Sequence, residues 1–244
     1  MKLRAALIVL LAISAVAADI ASKYEQPGFR TATIYARNSN RKTILFKLNR
    51  TTSHAGNELN VVREFTYPGG KVAAREHVTY DGNNLVTCDL EDLQTNTKGT
   101  VKVVRDGDKS KLVFDYTKGT KHKSNTETFA PDTLNNDMIG PFLLTHWSEI
   151  ASGQPVKFRY IALARVETVG FEFTKERDSV VNGKPVMIVK MSPSSAIISA
   201  FVDPLIFTID KAAPHRVIEY DGRTPLKIKL GERFKDLDAL TVFE

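Results

Sequence analysis

Apolar and polar side chains alternate with a period of two through most of the chain after residue 28. In the stretch TILFKLN, for example, Ile44, Phe46 and Leu48 share one face. Successive side chains of a strand point to opposite faces, so this pattern predicts strands that are apolar on one face. Turn-forming pairs such as Asp81-Gly82 separate these runs. The sequence therefore predicts a mainly β protein: a large curved antiparallel sheet, a half-barrel or open barrel, covered by one or two short helices.

The register of one hairpin can be derived from the residues around Gly69–Gly70. A two-residue loop at these glycines places Arg63 opposite Glu76, so that the two charges interrupting the apolar face meet as a cross-strand pair. Such a pair is either a structural ion pair or a polar anchor inside a cavity. We favour the structural ion pair, because a lone pair carries no catalytic geometry. The apolar pairs predicted by this register are Leu59 with Tyr80, Val61 with Val78, Phe65 with Ala74, and Tyr67 with Val72.

One helix is predicted in the segment that follows the Asn-rich stretch at 133–138. Pro141 suits a first helical turn, and Gly153 is a stop signal. Apolar residues recur between them at helical spacing, which indicates a helix packed on the sheet. These residues are Phe142, Leu143, Trp147 and Ile150.

The stretch SSAIISAFVDPLIF, residues 194–207, carries one charge in fourteen positions. Its start favours a short helix to about residue 202, and a strand at 185–191 before it is apolar on both faces. Elements without a polar face must be covered, so they form either the centre of a filled core or the lid and wall of an apolar cavity. In the cavity interpretation the candidate lining residues are Ile197, Ile198, Phe201, Met187, Met191 and Trp147.

The first eighteen residues have the pattern of a secretory signal peptide. Lys2 and Arg4 precede an apolar run that ends in small residues, and the run is shorter than the roughly 20 residues of a membrane span. We therefore expect export, most simply to a periplasm, of a single β-rich domain over 19–244 that is soluble after cleavage. A crossover within that domain is expected near 130–140.

No catalytic, metal or cofactor site is predicted. None of the five histidines lies at metal-ligand spacing from another His or Cys. The lone Cys88 shares a strand face with Val86 and Leu90, which is typical of a buried structural thiol. Acid–base partners contributed by distant strands stay possible, so enzymatic activity is left open.

One basic cluster, TKGTKHKS, contains Lys118, Lys121 and Lys123. It could contact an anionic membrane surface or an envelope protein, although Gly119 favours a solvated loop. The cluster lacks the interleaved aromatic residues of single-strand binders, so we predict no nucleic-acid partner.

The segment GPFLLTHWSEIASGQPVKFRYIALARVETVGFEF resembles a group of uncharacterised exported bacterial proteins, which share the RVETVGF strand and the late DPL and EYDGRTP motifs. That resemblance covers about residues 135 to 230. The layout also resembles, loosely, periplasmic lipoprotein carriers, in which helices lid a curved sheet over an apolar cavity. The resemblance implies a Gram-negative periplasm and the handling of a hydrophobic ligand. It transfers no site residue, because the first hundred residues depart from the carriers.

Three functions follow as hypotheses. The first is an exported protein that binds or carries an apolar ligand, such as a lipid or a lipid-modified group. The second is a cell-envelope assembly or protein-interaction module without a small ligand. The third is a hydrolase whose active site is assembled from distant strands.

Overall fold

A computed structural model describes residues 23–25, 30–107, 109–195, 198 and 203–244. It confirms the predicted fold class: one large sheet, antiparallel except for one short strand and open rather than closed, with two short α-helices whose bounds lie inside the described residues. The helices are α1 Ile139–Thr145 and α2 Trp147–Ala151. The strands are β1 Thr31–Ala36, β2 Ile44–Ala55, β3 Glu58–Thr66, β4 Val72–Asp81, β5 Asn84–Asp92, β6 Thr97–Asp106, β7 Lys109–Lys118, β8 Lys121–Thr128, β9 Thr133–Leu134, β10 Val156–Ala162, β11 Glu167–Val181, β12 Lys184–Pro193, β13 Leu205–Asp210, β14 Val217–Leu230 and β15 Arg233–Phe243.

The strand order is β8-β7-β6-β5-β4-β3-β2-β1-β15-β14-β13-β12-β11-β10-β9. The first strand therefore pairs with the last, and hairpins build the sheet outward in both directions from that pair. Only the short β9 pairs in parallel among the described strands, with β10. Residues 129–132 take the chain from β8 at one end of this order to β9 at the other end.

The sheet curls until β8 meets the turn between β10 and β11, and side chains join the two. Asn125 donates from Nδ2 to the carbonyl oxygen of Val166 at 2.9 Å. Glu127 Oε2 accepts from the backbone N–H of Thr168 at 3.0 Å and from its hydroxyl at 2.7 Å. We call this contact between β8 and residues 164–168 the side-chain seam. It brings the two halves of an open sheet together without a continuous ladder among the described strands.

The predicted hairpin register is confirmed from Leu59 to Phe65, including the opposition of Arg63 and Glu76. The predicted pairing of Tyr67 with Val72 is wrong, because a bulge after Phe65 shifts the register by one. Tyr67 instead donates its backbone N–H to the carbonyl oxygen of Lys71 at 2.9 Å. The loop is thus Pro68–Gly70, three residues rather than two, and Gly70 adopts the positive φ of 86° that such a loop requires.

The single helix predicted after the Asn-rich stretch is two helices. The chain departs from helical geometry at His146, with φ −98° and ψ 19°, between α1 and α2. Pro141 does lie in the first turn of α1, and Gly153 follows α2 with a positive φ of 89°, as the stop signal implied. Ile150 is the buried residue of α2, and Trp147 and Ala151 of the same helix pack against the buried apolar side chains.

The buried apolar side chains form two clusters. The larger cluster draws on β3–β7, β10–β13 and both helices. Strand β12 is buried on both faces from Val186 to Val189, as its sequence predicted. The smaller cluster comprises Ala32, Ile34, Phe46, Leu48, Phe65, Ala73, Ala74, Leu226, Leu237 and Ala239. No helix in the described part of the chain has the length and apolar character to cross a bilayer.

If the side-chain seam holds the curled sheet together, Glu127→Ala should lower the free energy of unfolding by about 1.5–3 kcal/mol, because two hydrogen bonds to a charged acceptor are lost. Ser124→Ala, on the same strand and exposed, should change it by less than about 0.5 kcal/mol. Urea unfolding of both variants measures the difference. Equal stability of the two variants would show that the seam contributes nothing.

Candidate functional site

A layer of charged side chains separates the two apolar clusters inside the sheet. Along β3, Val61 belongs to the larger cluster and Phe65 to the smaller one, and Arg63 lies between them. Strand β4 repeats the order, with Glu76 in the middle position. We call this group the polar layer. Its members are Arg50, Arg63, Glu76, Asp137, Asn135, Asn136, Tyr80 and Tyr160.

Two arginines of the polar layer face each other across β2 and β3. Arg50 and Arg63 are direct register partners, and both are buried. Like charges in that position repel each other, so each needs a counter-charge. Asp137 accepts from Arg50 Nε at 2.8 Å and from Nη2 at 3.0 Å, a bidentate pair. Glu76 accepts from Arg63 Nη1 at 2.5 Å.

The loop before α1 supplies Asp137 and fixes it in place. Asn135 Oδ1 accepts the backbone N–H groups of Asp137 at 2.8 Å and Met138 at 3.2 Å, which forms a local turn. Asn136 Nδ2 donates to Glu76 Oε1 at 2.5 Å. The loop is thereby bound to β4 inside the sheet.

Two tyrosine hydroxyls complete the polar layer. Tyr80 donates to Asp137 Oδ2 at 3.0 Å, and Tyr160 donates to Asn136 Oδ1 at 2.6 Å. Burial raises the pKa of Tyr80 well above its usual value, and the Asp137 carboxylate raises it further. Burial also raises the pKa of Tyr160, with Glu76 as the next cause. Both hydroxyls therefore remain protonated donors.

Arg63 keeps its charge although it is buried. Burial by itself lowers the pKa of Arg63, but the carboxylates of Glu76 and Asp137 outweigh it and the pKa is raised overall. Two donors in this layer, Arg63 Nε and Asn135 Nδ2, are buried without a protein partner. Burial raises the pKa of the nearby Cys88 thiol well above its usual value, so the thiol is a poor nucleophile.

The structure gathers four of the six candidate lining residues around the larger cluster. Met187 and Met191 are buried in it, on the same face of β12. Trp147 and Ile198 are partly buried and pack against the same cluster. Ile197 and Phe201, the other two candidates, lie outside the described residues.

Aromatic rings line the interior beneath the helices. Phe142 of α1 contacts Phe158 at a ring-centroid distance of 5.6 Å, and Phe158 stacks on Phe173 at 4.8 Å. We call α1 and α2 the helical cover. At its edge, Trp147 stacks on His215, with the ring centroids 4.1 Å apart and 13° between the planes. The cover is thus attached to the sheet mainly by rings and apolar side chains.

Two of the surface clefts formed by the described residues contain none of the candidate lining residues. One, of about 410 Å³, lies between Arg37, Arg41 and Asp221. The other, of about 340 Å³, lies beside Thr33 and Lys47. Within the described residues, no three His, Cys, Asp or Glu side chains are grouped as metal ligands.

The basic cluster is a tight hairpin rather than the predicted loop, because β7 and β8 extend to the turn at Gly119. Lys118 and Lys121 lie directly opposite each other in the register. Lys123 Nζ donates to the carbonyl oxygen of Ala164 at 3.3 Å and so belongs to the side-chain seam.

Arg50 and Asp137 were missed at the sequence level. Arg50 had a usable signal, because it continues the inward face of Phe46 and Leu48 and is the first charge on that face. Asp137 had none, because it lies in a loop whose position depends on the whole sheet.

Comparison with known proteins gives little further information. No protein-family model matches the chain, and no curated protein matches it. One solved structure that matches is a β-barrel-like protein of the domain of unknown function DUF1849 from Brucella abortus. It is 9% identical, the match covers 88% of this chain and 98% of that chain, and the TM-score is 0.38. A match at this level carries no argument about function.

Four tyrosines with raised pKa values should make the protein sensitive to alkali: Tyr24, Tyr80, Tyr160 and Tyr220. Burial, with Asp137 second, raises the pKa of Tyr24 to about 12, whereas an unfolded tyrosine titrates near about 10. The folded state therefore holds these protons longer. Its stability is fully present below about pH 10 and is lost as pH rises through the folded pKa values.

Urea unfolding at increasing pH, with tyrosinate absorbance recorded in parallel, measures this loss. We expect the free energy of unfolding to fall above about pH 10. Tyr24→Phe is the matched control, and it should flatten the fall between about pH 10 and 12. Ionisation of all seven tyrosines in the folded protein near pH 10 would contradict the prediction.

Proposed function

We propose that the mature chain is an exported, periplasmic protein that binds an apolar ligand, a lipid or a lipid-modified group, between its sheet and its helical cover. The observation that carries the proposal is the composition of that interface. Met187, Met191 and a set of phenylalanine rings face a cover that contains the protein's single tryptophan, Trp147. Ligand sites of this class are lined mainly by apolar and aromatic groups.

Two features support movement of the cover. Methionine side chains adapt their shape to different contacts, so Met187 and Met191 can repack around a guest. The helical cover is broken at His146, and α2 has five residues, of which Ile150 is the buried one. A guest therefore has to displace a short helix rather than a strand.

The first test is native mass spectrometry of protein purified from the periplasm without detergent, followed by organic extraction of any bound compound. We expect a reproducible adduct of lipid mass. Bromine-labelled stearate should then quench Trp147 fluorescence saturably, because the quencher would lie within contact of the ring. Bromoacetate, which has the same carboxylate and no chain, is the matched probe and should quench only weakly.

Two variants test whether stearate binds between the sheet and the helical cover. Met191→Ala should weaken stearate binding at least tenfold, whereas Val180→Ala, at a position where the side chain is exposed, should leave it unchanged. A protein that stays free of adducts after incubation with envelope lipids, and whose fluorescence is insensitive to stearate, would refute the proposal.

A second function is favoured by one observation at the basic hairpin. Lys118 and Lys121 are exposed and directly opposed, and an opposed pair of like charges is stabilised by an anionic partner. An envelope protein or an anionic membrane surface would supply that charge. The same native spectra distinguish the apolar-ligand function from binding of an envelope protein, because a bound protein has a far larger mass than a lipid.

A further inference from the structure

Residues 23–25 lie outside the strands and helices, yet side chains from the sheet hold their backbone at two points. The backbone N–H of Lys23 donates to Asn83 Oδ1 at 2.9 Å. The carbonyl oxygen of Tyr24 accepts a hydrogen bond from Arg50 Nη2. One donor and one acceptor of the main chain are thus bound by two separate side chains.

The ring of Tyr24 is inserted into the sheet interior. Only 2% of this residue is exposed, and its ring stacks on Tyr80 with centroids 4.2 Å apart and planes 22° apart. Tyr80 is itself held by Asp137, which also binds Arg50. Asp137 therefore positions both the ring that packs on Tyr24 and the guanidinium that donates to the carbonyl oxygen of Tyr24.

The residues on either side of Tyr24 have contacts of their own. Glu25 Oε1 lies 3.1 Å from His54 Nε2. Lys23 Nζ lies 5.1 Å from the centroid of the Tyr24 ring. The three residues are thus contacted through a backbone donor, a backbone acceptor, an aromatic ring and a carboxylate.

Proteins bind peptide segments with this combination of contacts: hydrogen bonds hold the main chain, and a pocket selects a side chain. Residues 23–25 form a turn and a bend, so the bound segment is folded back rather than extended. The Arg50 guanidinium is 2% exposed in its side chain and is fixed by a bidentate carboxylate. Its remaining donor direction is therefore set before a peptide arrives, which lowers the entropic cost of binding.

We propose that the pocket formed by Arg50, Tyr80 and Asn83 is a binding site for a tyrosine-containing peptide segment in a turn conformation, which in this structure is filled by the chain's own residues 23–25. The tether gives the resident segment a high effective concentration, so a free peptide competes poorly with it. The site goes beyond the apolar-ligand function and does not depend on it.

The test uses the peptide acetyl-Ser-Lys-Tyr-Glu-Gln-amide, which copies residues 22–26, and a second peptide with alanine in place of tyrosine. Calorimetry measures their binding to the Tyr24→Ala variant. We expect one peptide per chain, with the tyrosine peptide at least tenfold tighter than the alanine peptide. Wild-type protein and Tyr67→Ala, which removes a tyrosine packed on the smaller cluster, should bind the tyrosine peptide far more weakly than Tyr24→Ala does, because the resident segment competes with it. A folded Tyr24→Ala variant that binds neither peptide would overturn the proposal.

A second measurement on the wild-type protein decides the matter if Tyr24→Ala does not fold. Amide hydrogen exchange at residues 23–25 should be faster than in β3 and β4, and excess tyrosine peptide should accelerate it by displacing the resident segment. The proposal would be overturned if these amides exchange only through global unfolding and the peptide does not change their exchange rate.

Discussion

The buried ion pair of Arg50 and Asp137 is the interaction on which the rest of the structure depends. Arg50 comes from β2, and Asp137 comes from the loop between β9 and α1. Transfer of both charges out of water is costly, and the cost is offset only by good geometry and further hydrogen bonds. Here Tyr80 and the carbonyl oxygen of Tyr24 supply those bonds. One pair thus joins a strand, a loop and the segment near the N-terminus.

The pair also determines how the interior is divided. Arg50 and Arg63 are opposite each other on the adjacent strands β2 and β3. The second arginine therefore needs a carboxylate of its own, and Glu76 provides it. The resulting polar layer lies between two apolar clusters. The smaller cluster is formed by β1–β4, β14 and β15. The larger one lies under the short helices, where the apolar-ligand proposal places its guest.

Sequence patterns predicted the parts of this protein that depend on neighbouring strands. Alternation gave the sheet and its inner face, and the charges of Arg63 and Glu76 gave the hairpin register, because a one-residue slip would have separated them. The bulge after Phe65 could not be predicted in this way. The cross-strand pairs from Leu59 to Phe65 are the same for a two-residue and a bulged three-residue loop, so these pairs do not reveal the loop length.

Features that depend on distant contacts could not be derived. The break at His146 splits a segment whose apolar spacing is compatible with one continuous helix. Tyr24 precedes the region in which apolar and polar residues alternate. Its ring packs on Tyr80, which is 56 positions later in the chain. The position of Asp137 likewise follows from the strand order, which places β8 and β9 at opposite ends.

A double-mutant cycle on Arg50 and Asp137 tests most directly whether their pair organises the interior. Arg50→Met and Asp137→Leu should each lower the free energy of unfolding by about 3–5 kcal/mol, because each leaves a buried charge without its partner. The double variant should lose at least about 2 kcal/mol less than the sum of the two single losses. Losses that add to within about 0.5 kcal/mol would contradict the account, since they would mean that the two charges do not depend on each other.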